Sequence, residues 1–162
     1  MSKPYKILAE KYEQVLEADQ EPVMTIDKKG NKKWMLNGQL HRPDGPAIEY
    51  RDGSKVWYLN GAQHRIGGPS IDFINGQKEW RVNGKRHRLD GPAVEYADGF
   101  KRWYLNGKLH RDDGPAVIYG DGDEEYWLDN KEYPKKDYPQ VIALMKGLKD
   151  LALMRTKYEK PV

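Results

Sequence analysis

The chain of 162 residues contains no cysteine. Disulfides and thiolate metal sites are therefore excluded, and the composition suits a reducing compartment. No apolar run approaches the roughly 20 residues that a membrane-spanning helix needs, and the N-terminal stretch MSKPYKILAEKYEQ lacks the apolar core of a secretory signal. We therefore expect a cytoplasmic protein without a membrane partner.

An excess of one charge is also missing, because 28 Lys and Arg stand against 25 Asp and Glu. The net charge is −2 for residues 1–21, +1 for residues 22–130 and +4 for residues 131–162. A surface that binds nucleic acid through its phosphates needs a stronger basic footprint than the central region offers. Nucleic-acid binding therefore ranks below protein binding as an interpretation.

The sequence does contain a repeat of 23 residues. Glycines recur at residues 30, 53, 76, 99 and 122, and each of the first four is followed by Trp, Asn-Gly, His-Arg and Gly-Pro at fixed offsets. The recurring tryptophans are Trp34, Trp57, Trp80 and Trp103. A fifth unit starts at Gly122 but has Tyr126 at the Trp offset, and such decay is typical of a capping repeat.

Each unit predicts a β-hairpin. Asp52-Gly53 separates two runs rich in aromatic and β-branched residues, which favours a two-residue type I′ turn. That turn would pair residue 48 with residue 57 and would place alternate side chains on opposite faces. The predicted apolar face consists of Ile48, Tyr50, Trp57 and Leu59.

The predicted fold is mainly β, a single twisted antiparallel ribbon of stacked β-hairpin repeats with short helices at both ends. Residues 1–21 would form an N-terminal helix or cap, residues 22–133 four full repeats with partial terminal units, and residues 134–162 a C-terminal amphipathic helix. Such helices would cover the open edges of the ribbon. Docking of a partner, or a homodimer through the terminal helices, is the alternative use.

The units resemble MORN-type repeats in their Tyr/Trp-x-x-Asn-Gly core, and they are similar to the bacterial variant known as the YwqK-like antitoxin family. The phrase WYLNGxLHRxDGPAVxYxDG also resembles repeat proteins of large tailed phages. The resemblance covers about residues 22–133 and implies a MORN-like solenoid with a binding role. A phage protein of this kind would act in the host cytoplasm on a host defence or metabolic protein, whereas the antitoxin likeness implies a cognate toxin.

The first candidate site is the His-Arg pair in each connector: His41-Arg42, His64-Arg65, His87-Arg88 and His110-Arg111. Equivalent histidines about 10 Å apart cannot share a metal ion whose bonds are about 2.1 Å long. No Ser, Thr or Cys recurs beside them as a nucleophile. We therefore predict no metal, no cofactor and no catalytic residue, so that the chain is not an enzyme.

The second repeat supports a structural role for this motif. It has Gly67 where the other repeats have Asp44, Asp90 and Asp113, and a turn tolerates that exchange whereas a catalytic carboxylate does not. We interpret the His-Arg pairs as braces, with a repeated binding groove as the alternative.

The second candidate site follows each Trp position and is called the post-Trp row: Met35, Tyr58, Arg81, Tyr104 and Trp127. The predicted hairpin puts this row on the outer face, with its members about 10 Å apart. Met, Tyr, Trp and Arg are enriched in protein interfaces, although Tyr also suits any half-exposed strand. The sequence favours a protein-binding module, with nucleic-acid binding or sequestration of a small nucleotide as alternatives.

Overall fold

The computed structural model describes the backbone of residues 21–158 and the side chains of residues 21–152. The predicted N-terminal helix falls outside the described residues. Strands β1 to β18 occupy Val23–Ile26, Lys32–Leu36, Gln39–Leu40, Ile48–Glu49, Lys55–Val56, Tyr58–Leu59, Ala62–Gln63, Ile71–Asp72, Lys78–Glu79, Arg81–Val82, Lys85–Arg86, Val94–Glu95, Lys101–Arg102, Tyr104–Leu105, Lys108–Leu109, Val117–Ile118, Glu124–Leu128 and Lys131–Tyr133. Helix α1 follows at Tyr138–Tyr158.

A long antiparallel sheet runs through the whole repeat region. Its strand order is β1-β2-β4-β5-β8-β9-β12-β13-β16-β17-β18, with β3 paired to β2 beside this path. Neighbouring strands are close in sequence, so every pairing is made by a short connection. The predicted mainly-β fold of stacked antiparallel hairpins with a C-terminal helix is confirmed.

Three of the four full repeats, those that begin at residues 53, 76 and 99, also contribute to a second row of small hairpins, while in the first repeat β3 pairs with β2 itself. The small hairpins are β6–β7, β10–β11 and β14–β15, each formed of two-residue strands. The chain changes partners at the Trp: the Trp57 N–H donates to the Ser70 carbonyl on the main sheet, and the Trp57 carbonyl accepts from the His64 N–H. These three repeats therefore contain a second hairpin at the Asn-Gly turn, in addition to the one hairpin per unit that the sequence predicts.

The two Gly-containing turns differ in type. Asn60 and Gly61 have φ of 49° and 75°, the two positive values that a type I′ turn requires. At the other turn only Gly53 is positive, with φ of 94°, and the Tyr50 N–H donates to the Ser54 carbonyl. Residues 51–53 thus form a three-residue loop, and the predicted type I′ turn at Asp52-Gly53 is wrong.

The longer loop shifts the register of the hairpin by one residue. Ile48 lies opposite Val56 and Glu49 lies opposite Lys55, so the predicted pairing of residue 48 with residue 57 is wrong. A shift of one residue exchanges the two faces of a strand. Val56, which is 3% exposed, therefore takes the core position that had been predicted for Trp57.

The core is a thin layer between the main sheet and the small hairpins. One cluster contains Ile48, Val56 and Ile71 with Leu40, Tyr58 and Phe73 packed against it. Another contains Ala93, Val94 and Tyr104 with Trp80 and Leu109 packed against it. Both clusters combine residues from the two rows of hairpins, so the rows stabilise each other.

The core layer also contains a buried charged residue, Glu79. Glu79 occupies the repeat position of Val56, is only 4% exposed, and accepts hydrogen bonds from Arg81 Nη2 at 2.8 Å and Arg86 Nε at 3.1 Å. Burial alone would raise the pKa of Glu79, but the hydrogen bonds from Arg86 and Arg81 outweigh it and hold that pKa below its usual value. The two guanidinium groups thus keep the buried carboxylate charged.

Helix α1 is attached to the last repeat through Tyr138. This residue is 5% exposed, its ring lies 4.9 Å from that of Tyr126, and its hydroxyl donates to the Arg111 carbonyl. Burial raises the pKa of Tyr138 to about 12. The first turn of the helix therefore packs at a defined position against the last repeat.

The apolar side chains of helix α1 lie in two different environments. Val141 and Met145 are half-buried, whereas Leu144, Leu148 and Leu151 are exposed. The repeats therefore cover only part of the apolar side of the predicted amphipathic helix. In the described part of the chain, no helix combines the length and apolar character that crossing a membrane requires.

Engineered cysteines test the register directly, because the chain has none of its own. We expect the double variant Glu49→Cys/Lys55→Cys to form a disulfide on mild oxidation, since these residues are Cα partners and cross-strand partners lie within disulfide reach. The pair Glu49→Cys/Val56→Cys is the control and should stay reduced. Free-thiol titration distinguishes them, and the opposite result would restore the two-residue turn.

Candidate functional site

The arginine of each connector lies over the tryptophan of the same repeat. The repeats are numbered 1 to 4 and begin at residues 30, 53, 76 and 99. The distances from guanidinium carbon to ring centroid are 4.0 Å for Arg42 on Trp34, 3.9 Å for Arg65 on Trp57, 4.0 Å for Arg88 on Trp80 and 4.2 Å for Arg111 on Trp103. Such stacking is a cation–π interaction, and it holds the connector against the Trp.

Hydrogen bonds fix the same guanidinium to its own connector. In repeat 3, Arg88 Nη1 donates to the Pro92 carbonyl at 3.1 Å and to Glu95 Oε1 at 3.0 Å. Arg88 Nε donates to Asp90 Oδ1 at 2.9 Å, which lowers the pKa of the Asp90 carboxyl. Asp90 is largely exposed, so this ion pair orients the arginine more than it stabilises the fold.

The glycine of each Gly-Pro pair leaves room for the arginine. A Cβ at Gly91 would lie 2.9 Å from Cζ of Arg88, and a Cβ at Gly45 would lie 2.8 Å from Cζ of Arg42. Gly91 is not among the residues with positive φ, so its backbone would accept alanine. The Gly recurs because a side chain there would displace the guanidinium from the Trp.

The histidine links each connector to the next repeat. Nδ1 of His41 accepts from the Asn60 N–H at 3.1 Å, and the equivalent bonds join His64 to Asn83, His87 to Asn106 and His110 to Asp129. Nδ1 of His41 also lies 2.7 Å from Asn60 Oδ1, and Nδ1 of His64 lies 2.7 Å from Asn83 Oδ1, so these two rings contact both the backbone and the side chain of the Asn in the next repeat. Within the described residues, the Arg of each pair thus fixes the connector to the Trp of its own repeat, and the His fixes it to the next repeat.

The post-Trp row does not lie on the outer face. Tyr104 is 9% exposed, Tyr58 packs against the first core cluster, Arg81 bonds Glu79 and Trp127 Nε1 donates to Glu125. Met35 is half-buried. The predicted outward position of this row is wrong, because the shifted register turns the residue after each Trp towards the core.

Between successive connectors the surface forms three equivalent grooves. Groove 1 joins repeats 1 and 2, groove 2 joins repeats 2 and 3, and groove 3 joins repeats 3 and 4, with volumes of about 360, 770 and 490 Å³. Each is lined by the Trp and His of the later repeat and by the arginines of both. A repeated binding groove is the alternative interpretation of the His-Arg pairs that the sequence leaves open.

Two exposed apolar side chains separate the grooves. Ile66 is 73% exposed and lines grooves 1 and 2, while Leu89 is 82% exposed and lines grooves 2 and 3. Both follow directly after a His-Arg pair. Sequence reasoning missed them, although an apolar residue between Arg and the Gly-Pro turn was a visible signal.

The three grooves differ in charge. Groove 2 is lined by the cations Arg65, Lys85 and Arg88 and by one carboxylate, Asp90. Groove 1 has two cations and one carboxylate, and groove 3 has three of each. The largest groove is therefore also the most basic.

The described residues contain no group of three or more His, Cys, Asp or Glu placed to hold a metal ion. The grooves offer aromatic, apolar and cationic surface, which is binding chemistry. No family model matches this chain, and a search of curated proteins returns no significant match.

A double-mutant cycle tests the role of the Gly-Pro glycine. We expect Gly91→Ala to lower the free energy of unfolding by about 1–2 kcal/mol, because the added methyl group displaces Arg88 from Trp80. In an Arg88→Ala background the same change should cost less than about 0.5 kcal/mol. Urea denaturation gives both values, and equal costs in the two backgrounds would exclude this explanation.

Proposed function

We propose that this chain is a non-enzymatic protein-binding module and that the row of three grooves is its binding surface. The observation that carries the proposal is the exposure of Ile66 and Leu89 between grooves lined by Trp, His and Arg. Large apolar side chains at such exposure commonly mark interaction sites when they border a concave surface. Trp and Arg are enriched among the few hot-spot residues that carry most of the binding energy in protein interfaces.

The spacing of the grooves suits an extended segment of a partner protein. Each repeat adds two strands to the main sheet, which corresponds to about 10 Å. A polyproline II chain advances about 3.1 Å per residue with three residues per turn, so every third residue returns to the same side at about the same spacing. One partner segment can therefore place one side chain in each groove.

The resemblance to phage repeat proteins and to the antitoxin-like family supports a bacterial protein as the partner. The near-neutral repeat region favours a protein over nucleic acid, because phosphate binding depends on accumulated positive charge. The fixed braces also favour binding over catalysis, since their polar groups already hold partners within the repeats.

Substitutions at the exposed apolar pair test the proposal. We expect Ile66→Lys/Leu89→Lys to lose a partner that the wild-type protein retains from nuclease-treated bacterial lysate, without loss of thermal stability. Ile74→Lys is the matched control, because Ile74 is also 73% exposed but lines none of the three grooves. Exposed substitutions of this kind usually change stability by less than about 0.5 kcal/mol.

Two outcomes would contradict the proposal. One is a set of retained proteins that the groove variant leaves unchanged. The other is retention that disappears with nuclease in every variant, which would assign the binding to nucleic acid.

A further inference from the structure

Arg65 differs from the other three motif arginines in its partners. Nε of Arg42, Arg88 and Arg111 donates to the Asp two residues later, at 3.2, 2.9 and 2.6 Å. Repeat 2 has Gly67 at that position. Among the described residues, Arg65 donates only to the Pro69 carbonyl, at 3.1 Å, and forms no ion pair.

The glutamate that forms a second ion pair with the arginine in repeats 1 and 3 is also absent from repeat 2. Arg42 and Arg88 reach Glu49 and Glu95 at 3.2 and 3.0 Å. Repeat 2 has the shorter Asp72 at the equivalent position, and no ion pair joins it to Arg65 within the described part of the chain. Arg65 nevertheless keeps the fixed orientation of its counterparts, because it lies 3.9 Å over Trp57.

The glycine that replaces the Asp in repeat 2 borders open space. Gly67 adopts φ of +76°, and no atom lies within 4 Å of where its Cβ would be. Both Arg65 and Gly67 line groove 2, the largest and most basic of the three. Asp44, Asp90 and Asp113 do not have positive φ, so repeat 2 differs from the other repeats in its backbone at this position as well as in its side chain. An oriented guanidinium that lacks the carboxylate partner of its counterparts thus borders groove 2.

We infer that groove 2 binds the carboxylate of an Asp or Glu in the partner segment, with Arg65 as its receptor. This inference rests on the proposed function and names the chemistry of its ligand. The incoming carboxylate accepts from Arg65 as Asp44, Asp90 and Asp113 accept from their own arginines. Because stacking on Trp57 already orients the guanidinium, little side-chain entropy is lost on binding.

The neighbouring grooves define the rest of the ligand. Grooves 1 and 3 have apolar walls at Leu59 and Leu105, and groove 3 carries no net positive charge. A polyanion would meet favourable charge in only part of the row, whereas an acidic residue with an apolar residue three positions away on each side fits all three grooves. The expected ligand is therefore an acidic peptide segment.

Peptide binding tests the inference on the full-length chain. The probe is the fluorescein-labelled peptide GLSPESPLG, and its partner GLSPQSPLG replaces the carboxylate by an amide of the same shape. We expect the acidic peptide to bind at least about tenfold more tightly in fluorescence anisotropy at low salt, which is the usual size of a charge-assisted hydrogen bond. Equal affinity for the two peptides would overturn the inference.

A matched pair of variants locates the effect at Arg65. Gly67→Asp should remove the preference for the acidic peptide, because the new side chain supplies the carboxylate that the other repeats have. Gly67→Asn should retain it, since Asn and Asp tolerate positive φ to a similar degree and only the charge differs. Equal weakening by both variants would overturn the assignment, and so would a single-stranded oligonucleotide that binds more tightly than the acidic peptide.

The two proposals fail separately. If the lysate partner is lost in Ile66→Lys/Leu89→Lys but binds the Gly67→Asp variant unchanged, the binding surface stands and the carboxylate site is wrong. If no partner is retained while the acidic peptide still binds through Arg65, the carboxylate site stands and the proposed protein-binding function is wrong.

Discussion

The stacking of an arginine on a tryptophan is the contact on which each repeat depends. Most strands of the main sheet are only two residues long, and a sheet of such short strands cannot bury a core alone. Arg88 stacks on the ring of Trp80 and donates hydrogen bonds to the Pro92 carbonyl and the Glu95 carboxylate. The connector is thereby held beside the small hairpin, and the space left between neighbouring connectors becomes the groove.

The repeat length, the hairpins and the C-terminal helix could be predicted from the sequence, because each depends on local turn chemistry or on spacing. The register could not, since Asp52-Gly53 is compatible with both a two-residue and a three-residue loop. The choice depends on contacts between the two rows of hairpins, such as those of Leu40 and Tyr58 with the core cluster that contains Val56. This shift of the hairpin register by one residue explains why the post-Trp row was assigned to the wrong face.

Differences between repeats are as informative as the repeat itself. Glu79 stands where repeat 2 has Val56 and is held in the core by hydrogen bonds from two arginines, whereas Gly67 removes a carboxylate and leaves an arginine without its usual partner. Gly67 lies in groove 2, which Lys85 and Arg88 also line. The sequence showed the Gly67 exchange, but only the placement of Arg65 over Trp57 shows what it opens.

Amide hydrogen exchange on the Arg88→Lys variant tests the central role of the stacked arginine. Lysine keeps the charge but lacks the planar group that stacks and donates in a fork. The account predicts that exchange of the His87 and Arg88 amides, which bond the carbonyls of Trp80 and Tyr104, accelerates at least about tenfold. The Trp34 amide in repeat 1 should be unaffected. Unchanged protection of the His87 and Arg88 amides would contradict the account.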